Sequence, residues 1–297
     1  EVRGDARTTS GGPILDMGRM LHEAVAIDPE TRIAYLTEDH PNHSGFYRFI
    51  PKDTSGVAGS YEAGGRLQAA RVMSQANMDL RTPTVGDFHR INWVDIDDPD
   101  AEPGFAPAQF SDKPVSASGP FLQAHAKGAL YMSRGEGISH HAGKFYVVDT
   151  AAGRGLFGQA GHGNGAVWEY APREQTLRAI FVADDEMVGD NIDNLTISPR
   201  GGILLCEDGR PVTDEYGPGT RLLGLTADGD SYTFAKSSVE LTLEQIIAAG
   251  KRVSPGDYCG QEMAGACFDP FGEVLFVNIQ RPGITFAIWG PWERGNL

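Results

Sequence analysis

The sequence predicts an all-β fold, a β-propeller, from a repeat and from its composition. Two short apolar strands joined by a tight turn form a unit that occurs four times, at 22–39, 135–150, 193–208 and 263–279. A third strand rich in aromatic or aliphatic residues follows each unit, at 45–51, 165–172, 221–229 and 284–290. The 38 glycines and 18 prolines exceed what a helical bundle tolerates. Because radial repetition of antiparallel units protects strand edges, these observations favour a propeller over a β-sandwich.

Turn-forming residues join the two strands of each unit, at 28–30, 141–143, 198–201 and 269–272. Glycine, proline and aspartate favour tight reversals, so each unit is predicted to be a hairpin. One short helix is predicted at 241–251, beginning near Thr242 and ending near Gly250. The long interval at 51–134 is expected to hold a further divergent blade or a large insertion. We therefore expect 1–297 to be one propeller domain with long inter-strand insertions.

The chain has 297 residues, of which 25 are Lys or Arg and 40 are Asp or Glu, giving a net charge of −15. This charge repels nucleic-acid phosphates and anionic lipid surfaces, so neither nucleic acid nor a membrane is expected as a partner. No apolar run reaches the roughly 18 residues that a membrane helix needs. The 40% hydrophobic content is enough for a core and excludes general disorder. Cations are the natural partners of this excess of carboxylates.

Polar residues begin the first strand of three units, the strand that lines the central channel of a propeller. They are Glu23, Glu136, Asp193 and Asn194, with Arg134 close by. Because equivalent positions of different blades converge on the axis, their oxygens are expected to meet. Crowded carboxylates raise one another's pKa unless a cation compensates, and oxygen ligands suit calcium. These four residues are therefore predicted metal ligands, although Asp and Asn also commonly hydrogen-bond strand ends.

A second set of carboxylates lies at the far end of the second strand in three units, namely Glu38 with Asp39, Asp149, and Glu207 with Asp208. They are candidates for further metal ligands or for solvated loop carboxylates, and the sequence leaves both open. Arg134 also has two interpretations. Its planar fork can clamp an anionic substrate, or it can form a salt bridge with a neighbouring carboxylate.

The three cysteines, Cys206, Cys259 and Cys267, lack the spacing of a metal finger. Cys206 and Cys267 lie in apolar strands and are expected to be buried as small apolar residues. The sequence contains no Gly-x-Ser-x-Gly elbow and no His-Glu-x-x-His motif. Serine-hydrolase chemistry is therefore not expected.

Six segments resemble the PhoX-type alkaline phosphatase family, over about 18–292. They are GRMLHEAVAIDPETRIAYLTED, SGFYRFIP, WVDIDDPD, SRGEGISHHAGKFYVVDT, DNLTISPRGGILLCEDG and LFVNIQRPGITFAIWGPW. The resemblance implies a six-bladed propeller in the periplasm or outside the cell. It also implies hydrolysis of small phosphomonoesters at a channel-mouth cluster of iron and calcium, with Fe3+ and Ca2+ as cofactors. By this resemblance Glu23 and Glu136 are similar to cluster ligands, and Arg134 is similar to the phosphate-binding arginine.

Family members carry further propeller strands before the matching region, with a cysteine thiolate that binds iron. We therefore expect 1–297 to lack its N-terminal blades and to be completed by another chain or fragment. Two other functions stay open. A calcium-dependent lactonase or phosphotriesterase would hold one cation with Glu23, Asn194 and Asp149. A non-catalytic propeller would use cations only to fasten its blades together and would bind a partner with one face.

Overall fold

The computed structural model describes residues 11–111, 113–295 and 297. Nearly all of its regular structure is β, which confirms the all-β class. The first blade consists of β1 (His22–Ile27), β2 (Ala34–Glu38), β3 (Phe46–Pro51) and β4 (Gly65–Val72). It is followed by β5 (Phe88–Asp95), β6 (Gly104–Phe105), β7 (Ser116–Ala117) and the helix α1 (Gly119–Ala126).

The second blade consists of β8 (Gly135–His141), β9 (Lys144–Asp149), β10 (Ala166–Ala171) and β11 (Thr176–Val182). The third blade contains β12 (Ile192–Ile197), β13 (Ile203–Glu207), an inserted hairpin of β14 (Val212–Asp214) and β15 (Gly217–Gly219), β16 (Arg221–Leu225) and β17 (Ser231–Lys236). Next come β18 (Glu240–Leu241), the helix α2 (Leu243–Ala248) and β19 (Gly256–Asp257). The fourth blade consists of β20 (Met263–Phe268), β21 (Val274–Ile279) and β22 (Ile284–Trp289). Short 3-10 helices lie at Leu15–Met17, Ser60–Ala63 and Trp292–Arg294.

The four predicted hairpins are confirmed, as β1 with β2, β8 with β9, β12 with β13 and β20 with β21. The predicted third strands are β3, β10, β16 and β22. The first strand of each blade packs against that of the next, with β1 on β8, β8 on β12 and β12 on β20. This succession of inner strands around an axis is the arrangement of a propeller. The described residues form four blades, and the six-bladed type stays a prediction.

The long interval at 51–134 is an insertion and not a separate blade. Its first strand, β4, adds a fourth strand to the first blade. Its second strand, β5, pairs with β4 and also with β11 of the second blade, which produces one nine-stranded sheet. After β5, the insertion packs on the first blade, where Ala124 and Ala129 are buried against Leu36 and Tyr47.

Helix α1 was not predicted from the sequence, which indicated only one helix, at 241–251. The Ser118 side chain caps it by accepting a hydrogen bond from the Phe121 N–H, and Pro120 lies in its first turn. Proline is common in turns, but it is also tolerated in the first turn of a helix. The backbone N–H that proline lacks would have no partner within the helix at that position. Helix α2 confirms the predicted one and starts with a reciprocal capping box between Thr242 and Gln245. Among the described residues, the helices are too short or too polar to span a membrane.

The hydrophobic core lies where neighbouring blades meet face to face. Tyr35 and Trp168 are buried between the first and second blades. Ile192 is buried between the second and third blades, and Leu204 and Leu275 are buried between the third and fourth. Each such side chain contributes roughly 1.5–3 kcal/mol on burial. The third and fourth blades are therefore held to their neighbours mainly by apolar side chains.

Two sheet surfaces at the ends of this series are open, and we call them the open faces. On the fourth blade Phe276 is 38% exposed and Trp289 is 71% exposed, and on β1 Val25 is 55% and Ile27 is 44% exposed. Cys267 pairs directly with Phe276 and is exposed as well. The prediction of a buried Cys267 is therefore wrong, because an apolar strand pattern does not reveal which of its two faces is covered.

Candidate metal centre

Three carboxylates from neighbouring inner strands meet at one end of the channel. Glu23 of β1, Glu136 of β8 and Asp193 of β12 have carboxylate oxygens within 4.8 Å of one another. Glu136 and Asp193 are buried, whereas Glu23 is exposed. The three residues occupy equivalent positions in the repeat, so their convergence follows from the packing of the inner strands.

A β-bulge in each inner strand aims these side chains. The pairing of β1, β8 and β12 with the second strands shifts register between His22 and Val25, Gly135 and Ile138, and Ile192 and Leu195. Glu23, Glu136 and Asp193 are the first residues inside the three shifts. Bulges turn side chains out of the regular alternation and are common beside functional sites. The fourth inner strand, β20, has the same shift, but Gly265 occupies its equivalent position.

Gly137 allows β8 and β12 to approach each other closely. A Cβ atom at this position would lie 2.8 Å from the Asp193 carbonyl oxygen and 2.9 Å from the Asn194 Cα. Any larger residue would therefore push β12 away, because both obstacles belong to the backbone. The glycine directly after Glu136 thus sets the spacing of two of the three carboxylates.

A second group of carboxylates shares a member with the first. Asp193, Asp208 and Glu262 also have oxygens within 4.8 Å of one another. Asp208 follows β13, and Glu262 directly precedes β20. Sequence reasoning missed Glu262 because it lies three residues before Gly265, the position equivalent to the other ligands. Its place at the start of the fourth inner strand is the signal that could have identified it.

Burial and the charges of neighbouring carboxylates raise the pKa of Glu23, Glu136, Asp208 and Glu262. Burial, followed by the hydrogen bond and charge of Asp193, raises the pKa of Glu136 far above its usual range. Burial, followed by the charge of Asp208, raises the pKa of Glu262 to about 7. Burial and the Asp193 charge also raise the pKa of Glu23 and of Asp208. A cation between these groups would favour their ionised forms and relieve the repulsion.

The donors in the two groups fit a hard cation. Every member offers carboxylate oxygens, which are the ligands that Ca2+ prefers. Glu136 is 3% exposed, and among the described residues its Oε1 forms an ion pair with Arg134 but no well-aligned hydrogen bond. Neither group includes a cysteine of the described chain. Cys206 is buried as predicted, and burial raises its pKa to about 12, so its sulfur stays a thiol.

Arg134 stands beside Glu136, and the structure holds it through its side chain and its backbone. Its Nε donates to Asp39 Oδ1 at 2.8 Å, and its Nη2 donates to Asp39 Oδ2 at 2.9 Å. Nη2 also lies 2.7 Å from Glu136 Oε1. The Arg134 backbone N–H donates to Asp149 Oδ1 at 2.9 Å. The salt-bridge alternative is thus realised, while Nη1 has no hydrogen-bond acceptor in the part of the chain that the structure describes.

The structure does not bring Glu38, Asp149 or Glu207 into either carboxylate group. Each is fully buried and accepts hydrogen bonds within the fold. Glu38 accepts from the Tyr47 and Ser118 hydroxyls, and Asp149 from the Ser133 and Arg134 N–H groups. Glu207 forms a buried salt bridge with Arg221, whose Nη2 lies 2.6 Å from Glu207 Oε1. Their positions on the second strands thus serve structural contacts here.

Asn194 lies directly beside Asp193 of the first group. Its Oδ1 accepts a hydrogen bond from the Gly265 N–H at 3.0 Å. Its side-chain N–H donates to Asp193. Asp149 belongs to neither carboxylate group, so the set expected for a lactonase, Glu23 with Asn194 and Asp149, is not gathered around one point.

A family model for alkaline phosphatase PhoX matches residues 1–283. The chain belongs to the PhoX alkaline phosphatase family. The match includes the inner strands β1, β8 and β12, which carry the first carboxylate group. It also includes all three members of the second group, and Arg134. No curated protein matches the chain significantly.

One similar solved structure is Pseudomonas fluorescens PhoX in complex with vanadate, a transition state analogue, at 18% identity and a TM-score of 0.60. The alignment covers 91% of this chain and 50% of that one, so the chain spans about half the length of that PhoX. At this identity the likeness shows the fold, which confirms the propeller architecture. A luciferin-regenerating enzyme aligns over 94% of this chain and 79% of its own, at 12% identity and a TM-score of 0.32.

Proposed function

We propose that this chain is a metal-dependent phosphatase that hydrolyses phosphomonoesters at a Ca2+ and Fe3+ centre. The observation that carries the proposal is the pair of carboxylate groups that share Asp193, with Arg134 beside them. Membership of the PhoX family supports phosphatase chemistry. When bound, the cations would neutralise the phosphoryl oxygens and make the phosphorus more electrophilic.

The chain's own residues prepare this site for an oxyanion. Asp39 and Glu136 engage the Nε and Nη2 side of Arg134, which leaves Nη1 for a phosphoryl oxygen. Asp149 fixes the backbone from which Arg134 projects. The surrounding carboxylates outnumber this one guanidinium, so they would repel a phosphate until cations are bound. Phosphate binding is therefore expected to require prior metal loading.

Metal analysis tests the centre. We expect Asp193→Asn to lower the metal content of both groups, whereas Glu262→Gln lowers that of the second group only, since Asp193 alone is shared. Exhaustive chelation should abolish hydrolysis of p-nitrophenyl phosphate and lower the unfolding midpoint, because cations that bind the folded state stabilise it. Elemental analysis, a phosphatase assay and thermal unfolding measure these effects. Wild-type metal content in the Asp193→Asn protein would contradict the shared site.

Arg134→Lys tests phosphate recognition. Lysine keeps the charge but loses the planar fork, so we expect kcat/KM for a phosphomonoester to fall about tenfold or more at unchanged metal content. Arg81→Lys is the matched control, because Arg81 makes the same two-point pairing with Asp79 outside the carboxylate groups. Equal kinetics in the Arg134→Lys and Arg81→Lys proteins would refute the assignment.

We further propose that the protein acts in the periplasm or outside the cell, and that a further chain or fragment completes the propeller. The location is inferred from the family, and the open faces support completion by a further chain or fragment. Fractionation of producing cells tests the location, since activity confined to the cytoplasm would exclude it.

A further inference from the structure

A cavity lies at the opposite end of the first two blades from the carboxylate groups. Its volume is about 240 Å³, and its walls include Arg48, Arg173, Asp28, Glu30, Pro29, Ile33, Tyr35 and His140. The two carboxylates are engaged locally, because Asp28 accepts from the Glu30 N–H and the Thr31 hydroxyl, and Glu30 pairs with Arg173. It is bordered by the turn between β1 and β2 and the turn between β8 and β9. Glu23 and Glu136 lie at the other ends of the same inner strands, so this cavity is separate from the metal centre.

The cavity contains a guanidinium without a counter-ion. Arg48 is half-buried, donates from Nε to Gln68 Oε1 at 2.8 Å, and stacks 4.5 Å from the centre of the Trp93 ring. Within the described chain, no carboxylate lies within ion-pair distance of Arg48. By contrast, Arg134 and Arg221 each pair with a carboxylate. A half-buried cation without an ion pair has lost part of its hydration, so an anion at this position would stabilise the fold.

Unpaired polar groups lie directly behind the same wall. The Tyr35 ring is 5.4 Å from the Tyr170 ring and 6.0 Å from the Trp93 ring, measured between centroids. Tyr170 Oη and Trp93 Nε1 are buried without a hydrogen-bond partner among the described residues. Buried polar atoms nearly always have a partner. The Arg48 guanidinium without an ion pair thus lies close to buried polar atoms that have no hydrogen-bond partner among the described residues.

We propose that this cavity binds a small organic oxyanion, with its anionic head on Arg48 and its apolar body against Pro29, Ile33 and Tyr35. The planar fork of Arg48 suits a carboxylate or phosphate head. Arg173 at the rim is exposed and pairs with Glu30, so Arg48 is the anchor. The cavity is smaller than the roughly 300–1,000 Å³ of pockets for drug-sized ligands, which limits the ligand to one small ring or short chain.

Calorimetric titration with benzoate tests the proposal, with benzyl alcohol as the uncharged analogue of the same shape. Wild-type protein should bind benzoate and not benzyl alcohol. Arg48→Gln should weaken benzoate binding about tenfold or more. Arg66→Gln is the matched control, because Arg66 is exposed, pairs with Asp95 and does not line the cavity, and it should change the affinity less than twofold.

Inorganic phosphate tests the contribution of the anionic head alone, because it lacks an apolar body. It should bind to the same site as benzoate, but more weakly. If Arg48→Gln fails to fold, Arg48→Lys decides, since it retains the charge and should weaken binding by loss of the fork alone. The proposal is overturned if wild-type protein does not bind benzoate. It is equally overturned if benzyl alcohol binds as well, or if the folded Arg48 variant keeps wild-type affinity.

Discussion

At the scale of single residues, the contact between Asp39 and Arg134 decides how precisely the arginine is aimed. Asp39 takes two of its donors at 2.8 and 2.9 Å and belongs to neither carboxylate group. We predict that Asp39→Asn weakens the hold on Arg134 and raises KM for a phosphomonoester about tenfold, with metal content unchanged. Steady-state kinetics and elemental analysis measure both quantities.

Asp79→Asn is the control for this change, because it releases Arg81 in the same way and Asp79 belongs to neither carboxylate group. It should leave KM near the wild-type value. Loss of metal from the Asp39→Asn protein would show that Asp39 is a ligand and not a positioning residue.

A second residue-scale prediction concerns His43, which is 2% exposed and whose Nε2 donates to the Ser116 carbonyl. Burial lowers its pKa from 6.5 to about 4. The unfolded chain therefore takes up a proton at higher pH than the folded one, so stability falls as pH decreases from about 6.5 towards 4. The loss should amount to roughly 2–3 kcal/mol between pH 7.5 and 4.5.

The neighbouring carboxylates with raised pKa shift stability in the opposite direction, so a difference between two proteins isolates the His43 effect. The free energy of unfolding in urea should be measured at both pH values for wild type and for His43→Gln. The wild type should lose roughly 2–3 kcal/mol more than the variant on acidification. Equal losses would disprove the contribution of His43.

The sequence allowed prediction of the first carboxylate group but not of all its neighbours. Glu23, Glu136 and Asp193 were identifiable because the repeat places them at one phase, and the bulges preserve that phase. Glu262 does not occupy the equivalent position of the repeat, so the repeat could not predict it. Glu38 and Glu207 looked like ligands because nothing in the sequence reveals that hydroxyls, N–H groups and Arg221 from distant segments pair with buried carboxylates.

At the scale of elements, helix α1 is tied to the first blade by one hydroxyl. Ser118 Oγ accepts from the Phe121 N–H as the helix cap and donates to Glu38 Oε1 at 2.5 Å. We predict that Ser118→Ala destabilises the protein by about 2–4 kcal/mol, since it removes a cap and leaves a buried carboxyl with one partner fewer. Urea denaturation measures this change.

Thr242→Ala is the matched control, because Thr242 caps the exposed start of α2 and contacts no buried carboxylate. It should cost only about 1 kcal/mol. Equal costs for the two substitutions would mean that the bond to Glu38 adds nothing to the cap.

The elements themselves were largely predictable. Four hairpins and their third strands follow from short apolar runs separated by turn residues, which act locally. The insertion was less predictable, because β5 pairs with strands of two different blades and α1 begins with Gly119 and Pro120. Such long-range pairing leaves no periodic trace in the sequence.

At the scale of the whole molecule, the open faces predict association through β-sheet surfaces. Adjacent apolar side chains on one face favour contact with another such face. We predict that the double change Phe276→Thr and Trp289→Gln weakens self-association of the purified chain at least about tenfold, as measured by sedimentation velocity over a concentration series. Phe157→Gln is the control, because Phe157 is 90% exposed but lies on a loop and not on a sheet face. Similar association of all three proteins would argue against these faces.

Strand β5 has a consequence for how the molecule opens. Its backbone hydrogen bonds join the first two blades into one sheet, whereas the described strands of the third blade form a separate sheet. The first two blades should therefore exchange their amide protons with solvent as one cooperative unit, and the third and fourth should open on their own. Glu23 and Glu136 belong to the unit, and Asp193 lies across its boundary. Opening at this boundary would separate Asp193 from the other two carboxylates, so we expect it to control the exchange of a cation bound between them.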